Sequence, residues 1–357
     1  MSLQLDQDAN TIYGTYGVDI NAAFAGPLGE AIGTRLARGR LVVGGDVRPS
    51  TIPLKKALIE GALRTGCEVF DVGILPTPAL YFAKDRLWAD GSVMVTASHR
   101  SAEQNGFKIT FGKFPANDVD LSELWQIVQN EGPFASGAGM LYEQDIIEPY
   151  QSFMIARFVP TDPLCVVIDA NNGSMSHVAP RTLDALGYDL LACNCSPQAG
   201  FGDRIPDPFL HDNQARLSRS VLTNQAHLGV AYDGDGDRVL FADEQGTVLT
   251  PEQTLVLFAR SLLLYQSGSE IIYQSSFAPY VSQEILKVGG RPVPLEAGSA
   301  EIKRTVLQRG AVLGADRKGH YYFRAMGGED ALYATLVMLH IVSRYDAALE
   351  TLLSDLK

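Results

Sequence analysis

The 357 residues carry 41 acidic and 29 basic side chains, a formal net charge of −12, with 46% of positions hydrophobic and 20% charged. Single hydrophobic cores rarely grow past roughly 250 residues, so a chain of this length is expected to divide into two or three packed domains. The acidic balance excludes a surface built for nucleic acid or anionic lipid, and no apolar run approaches the roughly 20 residues of a membrane-spanning helix.

At the N-terminus, "MSLQLDQDAN" lacks the layout of a signal peptide. Cys67, Cys165, Cys193 and Cys195 match neither zinc-ligand spacing nor a redox Cys-x-x-Cys, and read as reduced thiols of a cytoplasmic chain. "RLVVGGDVRPSTIPLKKALIEGALRTGCEVFDVG", residues 40 to 73, predicts strand, polar loop, helix with apolar 3.6-residue spacing, glycine stop and second strand. The order recurs in "LCVVIDANNGSMSHVAPRTLDALGYDLLACN", residues 164 to 194, where Gly187 ends the helix. It recurs again in "SEIIYQSSFAPYVSQEILKVGGRPVPLEAG", residues 269 to 298, closed by Gly289 and Gly290. Three βαβ units of this kind predict an α/β protein: three similar domains with mixed, mostly parallel sheets and their sites in loops at the strand C-termini. Gly-containing breaks at 130–139 and 243–253 set the expected boundaries at 1–135, 136–246 and 247–357. The closing helix, with Leu339, Ile341 and Val342 near its middle, is expected to pack on the third unit, the alternative being an interface.

"AYDGDGDRVLF" places Asp233, Asp235 and Asp237 between two apolar strand-like runs. Three carboxylates so close repel one another, and a hard divalent cation with oxygen ligands replaces that repulsion with attraction. A calcium EF-hand is the sharper rival, since Glu244 falls at its twelfth position. It fails because its glycine position holds Arg238 and because the flanks are strands. The pattern favours Mg2+, which keeps waters and binds phosphate oxygens, with Arg238 as a fork for phosphate.

"SVMVTASHR" runs from an apolar strand straight into Ser98, which has two readings: a cap for the following turn, or a nucleophile. No G-x-S-x-G elbow surrounds it, and adjacent residues do not ordinarily aim side chains at each other, which argues against His99 as its base in a hydrolase triad. A phosphoserine fits better, because its charge of about −1.5 to −2 needs a metal and basic groups, both available elsewhere in the chain.

"GILPTPAL", "TASHR", "NGFK" and "DGDGDR" together, in this order along the chain, resemble the α-D-phosphohexomutases, the phosphoglucomutases and phosphomannomutases, over about residues 13 to 340. The resemblance implies a phosphohexomutase-like fold and an isomerase. Phosphoryl groups would move between the 1- and 6-positions of a hexose phosphate through a hexose 1,6-bisphosphate. Ser98 would be the phosphoserine, holding Mg2+ together with Asp233, Asp235 and Asp237. His99, Lys108 and Arg238 would be catalytic, and Asp46 and Arg48 would brace the serine loop.

The family's sugar-binding "GEXSGH" corresponds here to "GADRKGH", which puts Asp316, Lys318 and His320 at the substrate. Asp19 stands where the family has arginine and Tyr16 where it has an acidic residue. No Arg-x-Ser-Gly-Thr-like segment occurs, so the family's fourth, phosphate-binding domain is expected to be absent and hexose phosphates to be held weakly. Arg317, Lys318 or a partner subunit in a homo-oligomer would then supply the replacing cation. The rival expectations are a catalytically impaired relative that binds a sugar phosphate or a protein in a regulatory role, and a slow phosphatase.

Overall fold

The structure, a computed structural model, describes residues 4–6, 11–130, 132–159, 164–345 and 348–354. They form two compact units: the described residues up to Tyr150 together with Gln198–Ile205, and the described residues of Gln151–Pro197 with those from Pro206 onward. No described helix is long and apolar enough to cross a membrane.

The first unit is built from β1 (Gln4–Asp6), β2 (Thr11–Thr15), α1 (Ala22–Arg35), β3 (Arg40–Gly45), α2 (Thr51–Arg64), β4 (Glu68–Ile74), α3 (Thr77–Arg86), β5 (Gly91–Val95), β6 (Gln104–Phe111), β7 (Phe114–Pro115), α4 (Asp118–Gln129) and β8 (Met140–Glu143). The sheet order is β1-β2-β6-β5-β3-β4-β8, with β7 on β6. Strands β5, β3, β4 and β8 are parallel, as the helical crossovers require, and β6 returns antiparallel to β5. The expected boundary at 135/136 falls before β8, yet β8 pairs with β4 and completes this sheet. Phe24, Leu28, Leu58, Val43, Val93 and Phe107 form its core. Helices α1 and α2 approach backbone to backbone, since a Cβ on Gly29 would lie 2.0 Å from the Leu58 carbonyl oxygen.

Helix α5 (Ile147–Ile155) carries the chain onward. The second unit contains two sheets. One uses β9 (Cys165–Asp169), α6 (Val178–Ala185), β10 (Asp189–Cys193), α7 (His211–Asn224), β11 (Leu228–Tyr232) and β12 (Val239–Ala242), ordered β10-β9-β11-β12. The other uses α8 (Pro251–Leu263), β13 (Glu270–Gln274), α9 (Tyr280–Lys287), β14 (Arg291–Leu295), α10 (Ser299–Arg309), β15 (Leu313–Ala315), β16 (Tyr321–Phe323) and β17 (Gly328–Glu329), ordered β14-β13-β15-β16-β17. Both sheets put three parallel strands beside antiparallel return strands, β12 in one and β16 with β17 in the other, so with the first sheet three similar α/β domains are present.

Helices α11 (Ala331–Tyr345) and α12 (Leu349–Leu353) close the described chain. As expected, the closing helix packs on the third unit, against α8 and with Tyr333 edge-on to Phe323 of β16, and it also touches β11 and β12 of the second sheet. Its long apolar face reaches that far, and the buried Tyr232 and Thr335 hydroxyls meet there at 2.7 Å.

Candidate active site

Strands β3 and β5 pair in register through Gly45 and Val95, so the loops that follow them emerge side by side. Asp46, fully buried, is the hub between them. Its Oδ1 accepts from the Arg48 amide at 3.1 Å and the Thr51 hydroxyl at 2.9 Å, and its Oδ2 from Arg48 Nε at 2.9 Å and the Thr96 hydroxyl at 2.7 Å. Thr96 Oγ1 in turn accepts from the Ser98 amide at 2.8 Å. Arg48 Nη2 donates to the carbonyls of Ser98 at 2.7 Å and Arg100 at 2.8 Å, and Nη1 to that of Gln104 at 2.9 Å and to that of Ser101. All five guanidinium N–H donors are thereby engaged.

Within this clamp Ser98 takes φ +51°, a left-handed conformation that costs a non-glycine residue about 1–2 kcal/mol and persists only where the surroundings enforce it. Beside this kink His99 Nδ1 lies 3.4 Å from Ser98 Oγ. Lys108 sits on β6 at the register position shared with Met94 and Thr11. Asp19, in place of a cation, accepts from the Thr15 amide at 2.9 Å and closes a turn. A hollow of about 400 Å³ lies beside the loop, lined by Tyr16, Pro49, Ser50, Pro53, Ala102 and Glu103.

In the second unit, β11 and β12 form the hairpin that carries the acidic loop. Gly236, at φ +73°, turns the chain back so that the Gly236 amide at 3.0 Å and the Arg238 amide at 3.2 Å both donate to Asp233 Oδ1. The loop is backed by another: a Cβ on Gly173 would lie 2.6 Å from the Gly234 carbonyl oxygen. Asp233, Asp235 and Asp237 are buried, and each offers a carboxylate oxygen within 4.8 Å of the others. Three hard oxygen ligands gathered in a buried site fit a divalent cation, since without one their charges repel in low dielectric.

The segment 316–320 adjoins this loop. Val239 donates its amide to the Gly319 carbonyl at 3.1 Å, and Arg238 and His320 are bridged. Asp316 is 1% exposed, with both oxygens committed. Oδ2 accepts from Ser299 Oγ at 2.6 Å and Tyr322 Oη at 3.1 Å and lies 2.7 Å from His320 Nδ1, while Oδ1 accepts from the Lys318 and His320 amides at 2.9 and 3.1 Å. Burial opposes ionisation of Asp316, yet His320, Ser299 and Arg238 outweigh it and hold the carboxyl well below the usual range. For His320, burial pulls the imidazole down, but Asp316 and Asp237 prevail against burial and Arg238 and raise it to about 9. His320 Nε2 lies 3.1 Å from Arg238 Nε and 3.4 Å from Asp237 Oδ1. Arg238 Nε donates to His320 Nε2, and the Asp237 carboxylate faces the same nitrogen. Lys318 is half-buried.

Models of the three α/β/α domains of phosphoglucomutase/phosphomannomutase match this chain: domain I over residues 8–133, domain II over 146–246 and domain III over 250–357. A phosphomannomutase/phosphoglucomutase of Pseudomonas aeruginosa is 35% identical over 342 residues, covering 94% of this chain and 73% of its own length. The chain belongs to the phosphoglucomutase/phosphomannomutase family. A Pseudomonas putida relative of the same description is 33% identical, covering 96% of this chain and 75% of its own length. The solved structure of a Burkholderia thailandensis phosphoglucomutase/phosphomannomutase family protein superposes with a TM-score of 0.93 at 29% identity, over 99% of this chain and 80% of its own.

For this family member the first unit holds Ser98, His99 and Lys108, and the second unites Asp233, Asp235 and Asp237 with Arg238, Asp316, Lys318 and His320. Sequence reasoning missed the breadth of the Arg48 clamp, because its acceptors are backbone carbonyls that carry no residue signature. It also missed Ser299 and Tyr322, which reach Asp316 from other elements.

Proposed function

We propose that this chain is a Mg2+-dependent phosphohexomutase of the cytoplasm, interconverting the 1- and 6-phosphates of a hexose through Ser98 and a hexose 1,6-bisphosphate. The observation that carries the reading is Ser98 itself: a buried serine held in a left-handed kink by backbone clamps, where an ordinary turn cap would need neither strain nor five arginine bonds.

The phosphorus–oxygen bond at Ser98 Oγ breaks as one forms to a sugar hydroxyl, whose proton leaves to a base. The bisphosphate then returns its other phosphoryl group to Ser98. His99, whose Nδ1 lies 3.4 Å from Oγ, would hand the departing serine oxygen its proton. Lys108 and Arg238 are the proposed phosphoryl anchors, which is most of what this chemistry asks of a protein. Asp233, Asp235 and Asp237 would hold Mg2+, with a phosphorylated Ser98 as further ligand; the ion neutralises phosphoryl charge. His320 and Lys318 would meet the sugar phosphate, and Asp316, with its oxygens turned inward, orients His320.

31P NMR of a glucose or mannose 1-phosphate incubated with the protein, Mg2+ and a trace of the bisphosphate tests the proposal. Accumulation of the 6-phosphate supports it, and inorganic phosphate alone would replace it with a phosphatase. Asp316 favours a second reading, a sugar-phosphate-binding or regulatory module, because its committed oxygens leave no lone pair aimed at a sugar hydroxyl; binding with no turnover at either position would establish it.

A further inference from the structure

The segment Gln198–Ile205 belongs to the first unit although the chain on either side of it, up to Pro197 and from Pro206, belongs to the second. Nothing in its composition suggests a core element, and three consecutive residues, Phe201, Gly202 and Asp203, have φ of +53°, +65° and +58°. Two of these are not glycine, so the segment holds an unfavourable backbone that some tertiary contact must repay. That contact is Phe201, whose side chain is 0% exposed. Its ring centroid lies 4.9 Å from the Arg48 guanidinium carbon.

Arg48 is the residue whose five N–H groups hold Asp46 and the carbonyls of Ser98, Arg100, Ser101 and Gln104. With every in-plane donor engaged, the guanidinium can be approached only through its faces. An aromatic ring on one face attracts the cation, excludes water, and leaves the in-plane hydrogen bonds in low dielectric, where they are stronger. An aliphatic side chain of similar volume supplies the exclusion but not the attraction.

We propose that Phe201 is a positioning residue for Ser98. It acts through Arg48, capping the clamp that sets the left-handed serine loop, and the chain delivers it from within the stretch that forms the second unit. The inference rests on the phosphoserine reading for its catalytic consequence but not for its structural one. Two measurements on the full chain therefore separate the two.

Phe201→Leu and Phe201→Met, each confirmed folded by circular dichroism, would be compared with wild type and with Phe107→Leu, a core change of similar size in the same unit, by hydrogen–deuterium exchange. Peptides spanning residues 96–106 are expected to exchange about tenfold faster in both Phe201 variants, with β3, β4 and the second unit unchanged, whereas Phe107→Leu accelerates the first unit as a whole. In the same variants, phosphorylation of Ser98 by glucose 1,6-bisphosphate should slow about tenfold with the affinity for the bisphosphate changed less than about threefold. Wild-type exchange at 96–106 in both variants, or acceleration spread over the whole unit, overturns the proposal. If wild-type Ser98 takes no phosphate, the phosphoserine reading fails, and the exchange result alone decides the role of Phe201.

Discussion

Arg48→Lys is the perturbation whose cost the structure lets us work out most fully. Arginine engages five acceptors here, one carboxylate oxygen and four carbonyls, and its side chain is 0% exposed. Lysine has three donors on a single nitrogen, so it keeps the charge opposite Asp46 and leaves at least two acceptors without their arginine donor. Each buried unsatisfied acceptor costs about 1–3 kcal/mol, which puts the loss at about 2–6 kcal/mol against a typical total stability of about 5–15.

Urea unfolding followed by tryptophan fluorescence is the appropriate assay. The two tryptophans, Trp88 and Trp125, both lie in the first unit, so the signal reports the unit that Arg48 braces. With a slope of about 2 kcal/mol per molar urea, the fluorescence midpoint should fall by about 1–3 M. Phosphorylation of Ser98 should fail in urea-free buffer while the variant is still folded. A midpoint within about 0.3 M of wild type would refute the clamp, because it would mean that the carbonyl contacts contribute nothing measurable.

Asp235→Asn should act in opposite directions on the metal-free and metal-loaded protein. Removing one of three mutually repelling buried carboxylates raises the melting temperature in EDTA, while the stabilisation of about 2.7 kcal/mol expected for wild type at a hundred times Kd of Mg2+ largely disappears; differential scanning fluorimetry reads both. Ser98→Gly should be about 1 kcal/mol more stable than Ser98→Ala by urea unfolding, since only glycine accepts φ +51° without strain. Burial pushes the Cys195 thiol up to about 12, so at pH 8 its thiolate fraction is about one in ten thousand against about one in four for an ordinary thiol. Mass-spectrometric footprinting with N-ethylmaleimide should find Cys195 the slower of the Cys193–Cys195 pair, and equal rates would contradict the burial.

Much of this architecture was legible because it is local. The three βαβ patterns appear as β3-α2-β4, β9-α6-β10 and β13-α9-β14, each strand pair parallel, and the acidic loop sits on the hairpin that its apolar flanks predict. What was not legible depends on contacts far apart in sequence. Residues 198–205 have no apolar period, and Phe201 acquires its role only by meeting Arg48. Strand β8 is short and mostly exposed, so its place at the edge of the first sheet leaves no burial signal. The left-handed φ of Ser98, beside which His99 Nδ1 comes within 3.4 Å of Oγ, is not written in a serine. Asp316 is assigned to the substrate by the family resemblance alone, and its contacts with Ser299 and Tyr322 lie on other elements where no motif points.

The central claim is that Ser98 carries phosphate, and peptide mass spectrometry after incubation with Mg2+ and a hexose 1,6-bisphosphate tests it most directly, with Ser98→Ala and Asp235→Asn alongside. Phosphate is expected on Ser98 of the wild type alone, removed again when a hexose monophosphate is added. An unmodified Ser98 with every bisphosphate tried, in protein shown to be folded and metal-loaded, would contradict it and leave a binding module on a mutase fold.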